Sequence, residues 1–248
     1  MYRVITQLFL ALALLVGQVL PGQGLQPYNP GNATNAALLG LGGTLTTTSI
    51  MLDRRVVGLT EEDISVLEIN KIPGIDMYST RNLSLVADEA TDKLLLASFA
   101  SPFFLLLDRP GRENFDEMAL IVFEGAMINS GLINLTKVLV RRPRPYNYNL
   151  DAPLDTKLTK SSRYSFFSGH SATTAYFSIT TAKLYNDLYP ESKAKPYVWL
   201  GAALLPAAVS YGRMRAGRHF FTDVLVGSAV GTIIALVVPT LHKSGAEN

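Results

Sequence analysis

The chain has 248 residues, enough for one domain with a substantial core, and it joins 48% hydrophobic residues to only 17% charged ones, a balance that leans toward the membrane. A mean hydropathy of +0.21 is nevertheless low for a chain lying almost wholly in a bilayer, and a net charge of +2 says little about partners beyond giving no reason to expect nucleic acid. Zero cysteines exclude disulfides and cysteine catalysis and leave the compartment open.

At the N-terminus, Arg3 precedes an apolar run from Phe9 to Leu20 and the small-residue stretch Pro21-Gly22-Gln23-Gly24. Residues 1–24 read as a secretory signal or an uncleaved signal anchor, so the chain after Gly24 is expected to begin on the outer side of the inner membrane. The run Ala37–Leu52 follows. Its Gly42-Gly43, its threonines between Thr44 and Thr48 and the trailing Arg54-Arg55 make a poor bilayer helix, which places it at the interface or against a bundle. From Asp53 to Asp92 the signals are sparse: Thr60 with Glu61, Glu62 and Asp63 reads as a helix start, and Pro73-Gly74 as a turn. Residues 25–92 are therefore expected to form an N-terminal periplasmic or interfacial segment, and 93–242 the core.

Further apolar runs occupy Leu94–Leu107, Met118–Val140, Ala172–Tyr185, Tyr197–Ala208 and Val224–Val238. Several fall short of the roughly 20 residues a helix needs to cross a bilayer, and Met118–Val140 and the last run are the strongest spans. The last carries Gly227-x3-Gly231, a spacing that lets helices approach closely. Strand signals are nearly absent. The expected fold is an all-α helical bundle of about five or six membrane-associated helices. The short connections Asp108–Asn114 and Asn186–Pro196 carry Arg109, Arg112, Lys193 and Lys195 and are expected in the cytoplasm. That puts the loops bearing Arg144, His170 and His219 together on the periplasmic side.

Those three loops hold the chemistry. Lys137 and Arg144 lie seven apart, with Pro143 and Pro145 expected to end a helix at about Arg142 and to curl Arg144 back toward Lys137. Ser168-Gly169-His170 precedes the helix-compatible run Ser171 to Lys183, so its backbone N–H groups sit where a helix N-terminus favours an anion. Gly217 fits a turn between Arg213 and His219. His219 and Asp223, four apart, are expected to stack on one helical face with the carboxylate holding the ring. Lysine and two arginines can hold a phosphoryl group, one histidine can attack phosphorus, and the other can protonate the departing oxygen.

The ordered set Lys-x6-Arg-Pro, Ser-Gly-His and Arg-x5-His-x3-Asp resembles the type 2 phosphatidic acid phosphatase superfamily, which includes bacterial acid phosphatases and vanadium haloperoxidases, and the stretches 165–176 and 192–208 look closest to its bacterial envelope branch. The resemblance spans about residues 90–242 and implies the helical bundle of that superfamily. It also implies a phosphohistidine formed on His219, oriented by Asp223, with His170 as general acid. Lys137, Arg144, Ser168, Gly169 and Arg213 would hold the phosphate oxygens, with no metal and no cofactor. The substrate expected is a phosphomonoester or pyrophosphate on a lipid headgroup at the membrane. A soluble periplasmic acid phosphatase and a vanadium-dependent haloperoxidase stand as alternatives. The chain departs from the usual motifs in having Phe167 before Ser168 and Gly212 before Arg213, which bears on loop bracing and on the steadying of Arg213. Outside the motifs, Glu124 inside an apolar span reads either as functional or as a buried hydrogen-bonding group, and His242 as structural.

Overall fold

Six long helices carry the fold among the described residues of this computed structural model, which are 27–243 apart from position 30: α1 (Asn32–Asp53), α2 (Leu85–Ala100), α3 (Phe115–Val140), α4 (Gly169–Leu188), α5 (Lys195–Arg215) and α6 (Phe221–Leu241). Between them lie only short helical turns, so the architecture is the expected all-α bundle. The signal expected at 1–24 lies outside the described residues.

Local chemistry sets the helix boundaries. Thr60 and Asp63 exchange side-chain and backbone hydrogen bonds at 3.0 and 3.1 Å and start the short helix Glu61–Ser65, and the Ser84 hydroxyl accepts from the Ala87 N–H to start α2. At the other end of the bundle's longest helix, Arg141 adopts a left-handed φ of 51° and α3 stops at Val140, one turn short of Pro145. Helix α2 runs across position 92, the boundary expected between the N-terminal segment and the core.

Helix α4 is the hub, packed by α6, α5, α3 and α2. Its sequence is too polar to mark it as a span, because small and hydroxyl-bearing residues share its buried surface with Tyr176, Phe177, Ile179 and Leu184. Ala172, Ala175 and Ala182 are fully buried, and buried Ser178 donates to the carbonyls of Thr174 and Ala202 at 2.8 Å. Helix α1 lies against α3, where Gly42 faces the Met127 side chain and Gly131 faces Leu45. This is the bundle-side placement expected of Ala37–Leu52. Among the described residues, three helical stretches are long and apolar enough to cross a membrane: Leu85–Leu107, Phe115–Tyr148 and Phe221–Leu241. The 26 residues of α3 extend about 39 Å at 1.5 Å per residue, longer than a ~30 Å hydrocarbon core.

Gly227 and Gly231 seat α6 on α4, since a methyl added at either would overlap a backbone carbonyl, that of Ser168 or of Ala172. Gly231→Ala is therefore expected to force the hub apart and cost about 1–3 kcal/mol, read as a lowered thermal-unfolding midpoint in detergent. Gly40→Ala, where no neighbour lies within 4 Å, serves as the control that should not lower it.

Buried at the far end of the bundle, His242 Nε2 lies 2.9 Å from Glu124 Oε2 and 3.1 Å from Asn35 Oδ1, while Nδ1 donates to the Val238 carbonyl at 2.8 Å. Glu124 thus takes the second of its two expected readings, as a buried partner that ties α3 to α6 and α1.

Candidate active site

The C-termini of α3 and α5 and the N-termini of α4 and α6 converge at one end of the bundle, bringing cationic side chains to two positive helix ends. The loop after α3 is pinned by backbone bonds from Arg144 N to the Ser162 carbonyl at 2.8 Å and from Tyr146 N to the Gly217 carbonyl at 3.0 Å. Gly217 itself has a φ of 65° and lies against the Asn82 carbonyl, where a side chain would collide. These constraints set Lys137, Arg144, His170, Arg213 and His219 around one cavity of about 1050 Å³, which also reaches Asp88, Asp92 and Arg218.

The cations differ in how much of their hydrogen bonding is already used. Arg144 is buried, with Nε donating to the Ser161 carbonyl at 2.8 Å and Nη1 to the Arg218 carbonyl at 3.1 Å, which fixes the guanidinium plane and leaves Nη2 outside these contacts. Arg213 donates from Nη1 to Asp88 Oδ1 at 2.6 Å and to Thr91 Oγ1 at 3.1 Å, but its buried Nε has no partner among the described residues. Lys137 lines the cavity beside Gly169 and makes no hydrogen bond or ion pair among the described residues. A buried donor left unpaired costs about 1–3 kcal/mol, so an anion meeting the Nε of Arg213 recovers energy the fold has given up there.

His219 is set up as a base or nucleophile by its backbone partner. Its Nδ1 lies 2.7 Å from the Ser165 carbonyl, which can only accept, so Nδ1 carries the hydrogen and Nε2 keeps a lone pair, 3.5 Å from Arg144 Nη1. The expected direct grip by Asp223 is absent: its Oδ2 stands 3.7 Å from Nδ1. The reason is that α6 begins at Phe221, leaving His219 in the preceding loop, while Asp223 turns back to accept from the Phe220 N–H at 2.8 Å. Asp223 also accepts from Ser165 Oγ at 2.5 Å and from Arg142 Nη1 at 2.6 Å, so it acts on His219 through Ser165.

Ser168 stands behind the cavity wall. Its hydroxyl accepts from the Ser171 N–H at 3.3 Å, and its own N–H donates to the Asp223 carbonyl at 3.0 Å, which leaves Gly169 to offer an N–H at this helix end. Phe167 is buried against Ile133 and Ala172 and braces the loop by packing. Gly212 faces Thr91, whose methyl a serine would strike, and the Thr91 hydroxyl supplies Arg213 with the bond that Gly212 lacks.

Five charged residues of the site, Asp76, Asp88, Asp92, Arg142 and Arg218, escaped the sequence reading. Buried Asp76 accepts from Arg142 Nη2 and from Thr222 N and Oγ1 at 2.8–2.9 Å, and Arg142 also lies 4.0 Å over the Phe220 ring. From α2, Asp88 pairs with Arg213 and Arg218 at 2.6 Å, and Asp92 Oδ1 lies 2.6 Å from His170 Nε2. The motif around His170 offers it no acidic partner, and the fold supplies one from α2. The signal available was two carboxylates four apart at the start of an apolar run, the spacing that puts both on one face.

Burial and the surrounding cations bias both rings toward the neutral form, a bias that a phosphate dianion set among those cations opposes. Burial, with Arg213 and Lys137 adding to it against Asp92, pushes His170 down from 6.5 to about 4, and burial with Arg144, Arg213 and Lys137 pushes His219 well below its ordinary range. The unfolded chain takes up these protons first, so stability is full above about pH 6.5 and is lost as pH falls toward 4. Thermal melts in detergent are expected to hold steady from pH 8 to 7 and to decline between 6.5 and 4, with a shallower decline in His170→Gln.

An all-α bundle with two histidines facing a cationic pocket fits a phosphate-processing class of enzyme. The chain belongs to the PAP2 superfamily, whose sequence profile matches residues 119–245. It is similar to the lipid A 4′-phosphatase of Porphyromonas gingivalis, at 24% identity over 142 residues that make up 56% of this chain and 57% of that protein. The chain thus spans somewhat over half the length of that relative. A structural comparison pairs it with a transmembrane PAP2-type phosphatidylglycerolphosphate phosphatase from Bacillus subtilis, at 22% identity and a TM-score of 0.41, covering 96% of this chain and 94% of the other.

Proposed function

We propose that this protein removes phosphate from a lipid headgroup through a phosphohistidine on His219. As a PAP2 member it is a phosphoric ester hydrolase. The observation that carries the reading is the convergence of Lys137, Arg144 and the unpaired Nε of Arg213 with the unprotonated Nε2 of His219 on one cavity. In the first step Nε2 bonds to phosphorus as the ester oxygen leaves with a proton from His170. In the second, water attacks phosphorus, its proton returns to His170, and the P–N bond breaks. The cations, with Gly169 N–H, carry the developing charge. Among the described residues no three histidine, aspartate or glutamate side chains form a metal-ligating group, and the cations already do the work a metal would.

The lipid assignment rests on the cavity's continuation past Ser130 and Met127 to Phe123 on α3 and Ile50 on α1, an apolar lane beside a membrane-length helix. The relative named a lipid A 4′-phosphatase supports the same class. The connections bearing Arg109, Arg112, Lys193 and Lys195 lie at the bundle end opposite the site, which supports a periplasmic active site at the inner membrane.

The test is phosphate release by detergent-purified protein from phosphorylated lipids and from soluble phosphomonoesters. Lipid phosphates are expected to be turned over with kcat/KM at least ~10-fold higher, without loss in EDTA and with inhibition by vanadate. Equal turnover of soluble esters by protein released on osmotic shock would instead mark an acid phosphatase, and a strict magnesium requirement would contradict the site. Arg144→Lys is expected to lower kcat/KM by about 30-fold, about 2 kcal/mol, since a lysine cannot reproduce its fixed fork.

A further inference from the structure

We propose that Asp92 is a positioning residue for His170, orienting the ring and balancing its charge while it hands a proton to the leaving oxygen. This inference rests on the reading of His170 as the general acid. Asp92 lies in α2, outside all three motifs, and its Oδ1 sits 2.6 Å from His170 Nε2. A carboxylate oxygen here can only accept, so Nε2 carries a hydrogen and Nδ1 is the nitrogen left to give up a proton.

The surroundings of His170 explain why such a partner is needed. Lys137 from α3, Arg144 after it, Arg213 from α5, and Arg218 and His219 from the next loop all face the same cavity, and the first three plus Arg218 are cationic. Each opposes a positive ring. Of the two α2 carboxylates, Asp88 is committed to Arg213 and Arg218 at 2.6 Å. Asp92 stands 3.8 Å from Arg213 Nη1, beyond hydrogen-bonding distance, and its short contact goes to the histidine. It is the carboxylate placed to offset the cations when His170 is charged.

The proton balance then closes within the site. The imidazolium gives its Nδ1 proton to the oxygen as the P–O bond breaks, the neutral ring keeps its Nε2 hydrogen on Asp92, and Nδ1 is reloaded from the water that cleaves the P–N bond. Removing the negative charge of Asp92 makes the imidazolium harder to form, so the acid is lost at a lower pH.

The experiment compares Asp92→Asn, Asp92→Glu, His170→Ala and the Asp92→Asn/His170→Ala double variant on an alkyl phosphate lipid and on p-nitrophenyl phosphate, across pH. Asp92→Asn is expected to lower kcat on the lipid by about 10- to 100-fold with KM nearly unchanged, and to spare p-nitrophenyl phosphate. It should also move the alkaline limb of the lipid profile down by about one pH unit. Asp92→Glu should restore most of both, and Asp92→Asn should add no further loss in the His170→Ala background. If Asp92→Asn does not fold, Asp92→Ser, which accepts a hydrogen bond without charge, carries the same expectation. Leaving-group dependence in His170→Ala with an unmoved limb or equal losses on both substrates in Asp92→Asn would overturn the Asp92 role alone. Equal losses on both substrates in His170→Ala would remove the acid itself and overturn both readings.

Discussion

His219→Ala is expected to abolish phosphate release, with kcat falling by about four orders of magnitude or more and the thermal-unfolding midpoint little changed. The size follows from the atom removed: Nε2 is the nitrogen of this ring that the hydrogen-bond pattern leaves unprotonated beside Arg144, with Nδ1 committed to the Ser165 carbonyl. Without it the first step has no nucleophile, and water must attack a phosphoryl group that the site still holds but no longer activates. His219→Gln keeps a polar side chain of comparable reach and should be as inactive as the alanine, because an amide nitrogen has no lone pair to offer. Recovery of activity in either variant would mean that another group attacks phosphorus.

The second large effect lies at Arg142, which none of the motifs includes. Its guanidinium bridges two buried carboxylates, Asp76 through Nη2 at 2.8 Å and Asp223 through Nη1 at 2.6 Å, and stacks on Phe220. Arg142→Ala leaves both carboxylates buried without their cation, a change that costs about 3–5 kcal/mol when one partner of a buried pair is removed. It also frees Asp223, and through Ser165 the loop that holds His219, so kcat is expected to fall with stability. Arg141, one residue earlier, is exposed and donates from Nε only to the Val138 carbonyl of its own helix end. Arg141→Ala should therefore leave the unfolding midpoint within about 0.5 kcal/mol of the parent. Calorimetry or thermal melts of the two variants side by side check this, and matching midpoints would remove Arg142 from the network.

This contrast shows which parts of the protein are local in sequence. Lys137, Arg144, Arg213 and His219 were legible because short-range rules place them: prolines end α3, and a glycine with positive φ turns the chain between Arg213 and His219. The long apolar helices were legible from length and hydropathy. Helix α4 was not legible at its full extent, because buried serines and threonines interleave with Tyr176, Ile179 and Leu184 and dilute the hydropathy signal. The counter-charges Asp76, Asp88 and Asp92 were hidden for a different reason. They come from a segment whose sequence signals no ligand, and only tertiary packing of α2 and of the turn at 74–76 carries them to the cations. The His219 and Asp223 geometry differed because a helix N-terminus competes for the same carboxylate, and the backbone donor at Phe220 wins.

Bonding of His219 Nε2 to phosphorus is tested most directly by trapping the phosphoenzyme. Purified protein mixed with a phosphorylated lipid, quenched in alkali to preserve an N–P bond and digested for mass spectrometry, is expected to carry one phosphate on the peptide containing His219. The label should be absent from His219→Gln. A product burst with no modified His219 peptide, or phosphate found on another side chain, would contradict it.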